Sequence, residues 1–303
     1  EEKSVAWTIT QPVGHVIDDT AVVEFLNKIE NKSFKKIAEE FLTGHVAMKI
    51  PRDKDDVIPN TRVILTHNVP PETDFYDANK VELIDMDNRF IIATHPHNDS
   101  EAETFWRMAF ETNVVNIFYL ENYNDEKPCG FVPWKEEFHD YGKMNLIKKK
   151  MGVNKHDAQI ILELLPEGCS NSTIVRLIQP VDLDIAPELS KKKRLNYLVR
   201  TLKNEKCLSL IVCSSGVGKS AMFVFLHVMI TQLNGNIKTE MANVLEFIRR
   251  VRKGGIQTVE EYASLHLLVL EYLENKYLKH KDRCANMRKK LLEQWTHAKK
   301  STE

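Results

Sequence analysis

No run of apolar residues in this chain is long enough to cross a bilayer, and no secretory signal opens it. Neither a spanning helix nor an export route is therefore expected. Charge of one sign is lacking too: 42 Lys and Arg stand against 43 Asp and Glu, a formal net of -1. That balance implies no bulk attraction to nucleic acid, and no nucleic-acid partner is expected. Cysteine is scarce and odd in number, with Cys129, Cys169, Cys207, Cys213 and Cys284 lacking zinc spacing. This favours a reducing, cytoplasmic setting over a disulfide framework, and predicts neither metal nor cofactor. Glycine and proline number 11 each in 303 residues, and no Pro/Gly/Ser linker, repeat or low-complexity tract marks a boundary. The chain reads as one large domain, and its opening glutamate predicts a piece of a longer protein.

What is present is a patterned α/β sequence. Helices are expected near 20–30 and 33–43, a strand-rich middle over about 62–180, then helices near 221–233, 239–252 and 259–278. Strands followed by a helical block suit an α+β or mixed-sheet α/β domain. The expected divisions are a lead-in over 1–19, a domain over 20–278 and a basic amphipathic C-terminal helix over 279–303. In that last segment Cys284, Met287, Leu291 and Trp295 recur at helical spacing among basic residues. Packing of this stripe on the domain is the default expectation, and docking on a partner or an anionic membrane surface is the alternative.

One segment outweighs the rest. The apolar run Leu208-Ser209-Leu210-Ile211-Val212 feeds into Cys213-Ser214-Ser215-Gly216-Val217-Gly218-Lys219-Ser220, and a helical pattern follows at once. A strand, a tight loop and a helix N-terminus together make an anion cradle, because loop N–H groups converge and the helix dipole adds partial positive charge. Gly218-Lys219-Ser220 matches the end of a nucleotide-binding P-loop, but Cys213 stands where its first glycine belongs, and only helices are expected afterwards. The nucleotide reading fails on that context.

The alternative is a cysteine poised to attack a phosphate. The span from Cys213 to Lys219 resembles the signature loop of the classical, phosphotyrosine-specific protein tyrosine phosphatases, with Gly216 and Gly218 in the family's positions. Asp74-Phe75-Tyr76-Asp77-Ala78-Asn79 is similar to the family's Asp-Tyr-Ile-Asn-Ala-Asn. Phe90-Ile91-Ile92-Ala93-Thr94 with Phe105-Trp106-Arg107-Met108, and Gln257-Thr258-Val259-Glu260-Glu261-Tyr262, match further motifs in the family's order. The resemblance covers roughly 20–278 and implies a single domain with a twisted mixed sheet flanked by helices.

At the chemistry the sequence departs from that family. Val212 replaces the histidine that helps to lower the thiol's pKa, and Lys219 replaces the signature arginine. Ammonium is a point charge, whereas guanidinium grips two phosphoryl oxygens with a planar fork. Ser220 matches the hydroxyl that assists departure of sulfur. Over Val181-Asp182-Leu183-Asp184-Ile185-Ala186-Pro187, alignment on the proline puts Leu183 at the general-acid position, with Asp182 and Asp184 on either side. Loss of a positioned general acid costs roughly two to four powers of ten in rate. Asp53 stands where the family's ring-stacking tyrosine belongs; Gln257 is kept, while Glu261 replaces a water-positioning glutamine.

Together these changes imply a pseudophosphatase whose Cys213, Ser214, Ser215, Gly216, Val217, Gly218 and Lys219 still hold phosphate. The implied partner is a phosphotyrosine-bearing protein, such as the activation segment of a kinase that it would sequester or inhibit at the cytoplasmic face or cell cortex. The description also resembles certain nematode egg-activation proteins. A slow phosphatase using Cys213 with Asp182 or Asp184, and a scaffold with a dead pocket, are the alternatives. His95-Pro96-His97-Asn98-Asp99 lacks the companion ligands of a zinc site and is expected to be a solvated loop. Cys129 is expected to be a packing residue, and the runs Lys148-Lys149-Lys150 and Lys191-Lys192-Lys193 to be solvated charge.

Overall fold

The computed structural model describes residues 18–45, 57–66, 74–82, 89–127, 129–181, 183 and 207–300. Among these, nine strands form one mixed sheet: β1 (Arg62–Ile64), β2 (Phe75–Val81), β3 (Arg89–Thr94), β4 (Asn116–Tyr119), β5 (Phe138–Tyr141), β6 (Met144–Val153), β7 (Asp157–Pro166), β8 (Thr173–Pro180) and β9 (Leu208–Cys213). Their order across the sheet is β1-β2-β3-β9-β4-β8-β7-β6-β5. The centre is parallel, with β9 between β3 and β4 and β8 beyond β4. The flanking pairs are antiparallel. The helices are α1 (Thr20–Ile29), α2 (Phe34–Leu42), α3 (Asp99–Glu111), α4 (Lys219–Asn234), α5 (Met241–Val251), α6 (Val259–Lys276) and α7 (Lys281–Lys300).

Alternation along β9 divides the core. Leu210 and Val212 point to the layer containing α3, while Ile211 and Cys213 point to the helical layer built on α4. Successive strand residues face opposite sides, so the cysteine and the residue before it lie in different environments. α4 is apolar almost all round, with twelve of its residues buried, as befits a helix covered by both sheet and helices. It starts at Lys219, directly after the loop, and therefore aims its N-terminus at the C-terminal edge of the parallel strands. Sites in parallel sheets form at that edge.

The helices expected up to residue 278 are present within one or two residues at their ends, the C-terminal one is described over Lys281–Lys300, and α3 is an addition inside the middle region expected to be strand-rich. Asn98 caps it by accepting from Glu101 N–H at 2.9 Å. Thus the expected solvated loop is only partly that. His97 is exposed, but His95 is half-buried and its N–H donates to the Cys213 carbonyl at 3.0 Å.

The apolar stripe of α7 is spent on the domain. Cys284, Met287, Leu291 and Trp295 are buried in the same core as α4, and Trp295 stacks on Phe34 with ring centroids 5.7 Å apart. No helix among the described residues is long and apolar enough to cross a membrane.

Candidate active site

The loop between β9 and α4 is fixed from below. Gly216 adopts φ +62°, and a Cβ there would stand 2.5 Å from Arg252 Nη2 and 2.7 Å from the Thr94 nitrogen. Only glycine satisfies both the left-handed backbone and the close approach. Arg252 is fully buried; its Nε donates to the Gly216 carbonyl at 2.9 Å, while Nη1 donates to Asp77 at 2.8 Å and to Asn79 at 2.9 Å. The arginine thus ties the loop to β2. Ile256 closes the arrangement: its N–H donates to the Val217 carbonyl at 2.7 Å, from a backbone held at φ +62°. A β-branched residue at positive φ is strained, and such strain persists only where surrounding contacts enforce it.

Cys213 is buried at the head of this loop, and its thiol donates to the Ser220 hydroxyl at 3.2 Å. Within the loop, Ser215 Oγ accepts from Gly218 N–H at 3.2 Å and from Val217 N–H at 3.4 Å. Val212 is completely buried on the opposite face of β9, between Ala93 on β3 and Tyr119 on β4. No titratable group stands in that place.

Lys219 reaches into the site and meets Glu121, with Nζ 2.5 Å from Oε2. The other carboxylate oxygen accepts from Ser214 N–H at 3.0 Å. Burial pushes the Glu121 carboxyl up, but Lys219 and the Ser214 N–H outweigh it and hold it below the usual range. Glu121 follows the C-terminal end of β4, so the parallel pairing of β4 with β9 delivers it beside the loop. The next residue, Asn122, accepts from the Leu183 N–H. Leu183 itself is 4% exposed and belongs to the core around α4. Its neighbours Asp182 and Asp184, and Asp53, lie outside the described residues.

Glu261 serves two purposes. It is the N3 residue of a capping box on α6, with Thr258 Oγ1 accepting from Glu261 N–H at 3.1 Å and Glu261 Oε2 accepting from Thr258 N–H at 3.4 Å and, beyond the box, from Gln257 N–H at 2.7 Å. Its other oxygen, Oε1, lies 2.8 Å from where a Cβ on Gly218 would be. Burial raises its carboxyl pKa against these hydrogen bonds. Gln257 is brought to the same edge by that cap. Nearby, His95 Nδ1 is 2.9 Å from the Tyr119 hydroxyl, and burial lowers the imidazole's pKa.

Seven consecutive loop residues and Glu261 therefore converge, together with two partners that the sequence reading did not single out, Glu121 and Arg252, and with His95, which it expected to lie in a solvated loop. The available signal for Glu121 was its place two residues after the strand Asn116–Tyr119, where a parallel strand must end beside the loop. No cluster of three or more metal-ligating side chains occurs among the described residues.

Comparison with known proteins agrees with this geometry. The chain is 24% identical over 289 residues to mouse tyrosine-protein phosphatase non-receptor type 20, covering 84% of this chain and 64% of that protein. It is 24% identical over 238 residues to human receptor-type tyrosine-protein phosphatase epsilon, covering 71% and 32% respectively. The chain thus spans less than two thirds of the length of either relative. The crystal structure of Trypanosoma brucei protein tyrosine phosphatase TbPTP1 superimposes with a TM-score of 0.67 at 16% identity, over 81% of this chain and 95% of that one. The family model described as Protein-tyrosine phosphatase matches residues 51–271, and the chain belongs to the protein-tyrosine phosphatase family.

Proposed function

We propose that this phosphatase domain is catalytically impaired and binds phosphotyrosine-bearing protein segments, including the phosphorylated segment of a kinase, without turning them over efficiently. The observation that carries this reading is the contrast between a loop braced around Cys213 and a buried Leu183 at the aligned general-acid position. A core leucine cannot protonate a leaving phenolate. Lys219 supports the same reading, since its single cationic centre is already paired with Glu121. What favours retained recognition is the anion cradle itself: a left-handed Gly216, a helix N-terminus at Lys219 and the loop N–H groups between them. A cytoplasmic location, at the cortex or elsewhere, belongs to this proposal.

The test pairs a turnover assay with calorimetry. Hydrolysis of an aryl phosphate is expected near background in wild type and unchanged in Cys213→Ser. Phosphotyrosine peptide is expected to bind more tightly than its unphosphorylated form. A robust rate that disappears in the serine variant favours the slow-phosphatase reading, which the Cys213–Ser220 hydrogen bond at 3.2 Å supports. Equal affinity for the two peptides favours a scaffold whose pocket is unused.

A further inference from the structure

We propose that Glu121 is the residue that sets the anion affinity of this loop, acting as a built-in competitor for the ligand's phosphoryl oxygens. This deepens the phosphotyrosine-binding reading and rests on it for the identity of the natural ligand. The Glu121 carboxylate is itself a two-oxygen anion, and it accepts from two donors of the loop: Ser214 N–H at 3.0 Å and the Lys219 ammonium at 2.5 Å. Both partners sit on the loop, so the contact reaches across to it from beyond the end of β4.

The lysine makes the competition severe. A guanidinium presents five N–H donors in a plane and can bridge a protein carboxylate and a ligand oxygen at once. An ammonium carries three N–H donors on one atom rather than a planar fork, and that atom is already in contact with Glu121. Lys219 and Glu121 therefore cancel, and a dianion approaching the loop meets the helix dipole and N–H groups without a net side-chain cation from this pair. Glu261 adds a second carboxyl beside Gly218. Ser215 Oγ further engages the N–H groups of Val217 and Gly218. The resting loop is an anion site in which the N–H groups of Ser214, Val217 and Gly218 and the Lys219 ammonium already have internal acceptors. Occupancy requires that Glu121 swing away or that its charge be removed.

The experiment measures inorganic phosphate and phosphotyrosine-peptide binding by calorimetry for wild type, Glu121→Gln, Glu121→Gln with Lys219→Met, and Lys219→Arg, with a thermal melt of each. Glu121→Gln is expected to tighten inorganic phosphate at least tenfold, equivalent to about 1.4 kcal/mol, and the gain is expected to vanish with Lys219→Met. Lys219→Arg, which keeps the ion pair and so tests the idea even if the glutamine variant fails to fold, is expected to tighten phosphate at least threefold. Unchanged or weaker phosphate binding in a folded Glu121→Gln variant overturns the proposal, as does no gain in Lys219→Arg. If the glutamine variant gains phosphate affinity while wild type treats both peptides alike, the competitor role stands and the phosphotyrosine reading falls. If wild type discriminates the peptides but Glu121→Gln gains nothing, the reverse holds.

Discussion

At the residue scale the loop separates two kinds of departure from the family pattern. Val212 and Leu183 are buried in apolar surroundings, so restoring His or Asp there places a polar group in a dry core. An uncompensated buried polar group costs about 1–3 kcal/mol by mutational measures. Lys219, by contrast, is only half-buried and its replacement by arginine meets no such penalty. Restoring catalysis by Lys219→Arg, Leu183→Asp and Val212→His together is therefore expected to cost stability, and a drop in melting temperature of the triple variant relative to Lys219→Arg checks this. Gly216 is the least replaceable residue of the loop. Gly216→Ala is expected to lower stability by about 2 kcal/mol or more, since it combines a positive φ with a Cβ placed against backbone. Urea denaturation measures it. A change within about 0.5 kcal/mol, the range of surface substitutions, would show that the loop can shift to admit the methyl group.

At the element scale two tethers hold the site and the helical layer. The first is Arg252, whose guanidinium joins the C-terminal end of α5 to β2 and the loop in one buried pair with Asp77. Removing one member of such a pair leaves the other charge uncompensated and costs about 3–5 kcal/mol. Arg252→Met is expected in that range by chemical denaturation, and Arg252→Met with Asp77→Asn is expected to be less destabilised than the single change. The second tether is α7. Trp295 is buried and stacked on Phe34, and Asp19 accepts from His280 and Lys279 at 2.7 Å, tying the start of α1 to the entry of α7. Trp295→Ala is expected to cost about 3–5 kcal/mol. A negligible effect would mean that the helix contributes little to the fold and has its stripe available for other work.

At the scale of the whole molecule, acid sensitivity follows from two buried histidines in the helical layer. His227 on α4 and His266 on α6 are held neutral by burial, which pushes each pKa down to about 4. His266 Nδ1 lies 3.0 Å from the Tyr262 carbonyl, which fixes a neutral tautomer with its proton on Nδ1. In the unfolded chain these rings take up protons near pH 6.5. Between roughly pH 6.5 and 4 the unfolded state thus binds more protons, and stability falls as pH falls. The two shifts together correspond to a loss on the order of 6 kcal/mol across that window. Glu121, held below the ordinary carboxylate range, adds a loss of the same sign at lower pH. Denaturant midpoints at pH 7.5, 6 and 5 check the trend, and His266→Gln with His227→Gln is expected to flatten it. A midpoint independent of pH in the wild type would show that neither ring is protonated on unfolding.

The sequence by itself determined the elements and the loop. A short apolar run placed β9, helical spacing placed α1, α2 and α4 to α7, and Cys213 to Ser220 marked the anion cradle, because all of these are local regularities of one short stretch. The loop's brace and its counter-charge were decided only by the tertiary structure. Lys219 and Glu121 lie 98 positions apart, and Arg252 lies 175 positions from Asp77. No periodicity or cap links such residues along the chain; the parallel pairing of β4 with β9 brings the first two together, and the packing of α5 on β2 the second two. Glu261 shows both sides. Its capping box with Thr258 is written within four residues of sequence, whereas the approach of its second oxygen to Gly218 exists only because α6 begins beside the loop. The same holds for Val212, whose apolar character is plain in the sequence but whose separation from Cys213 follows from the pleat of a buried central strand.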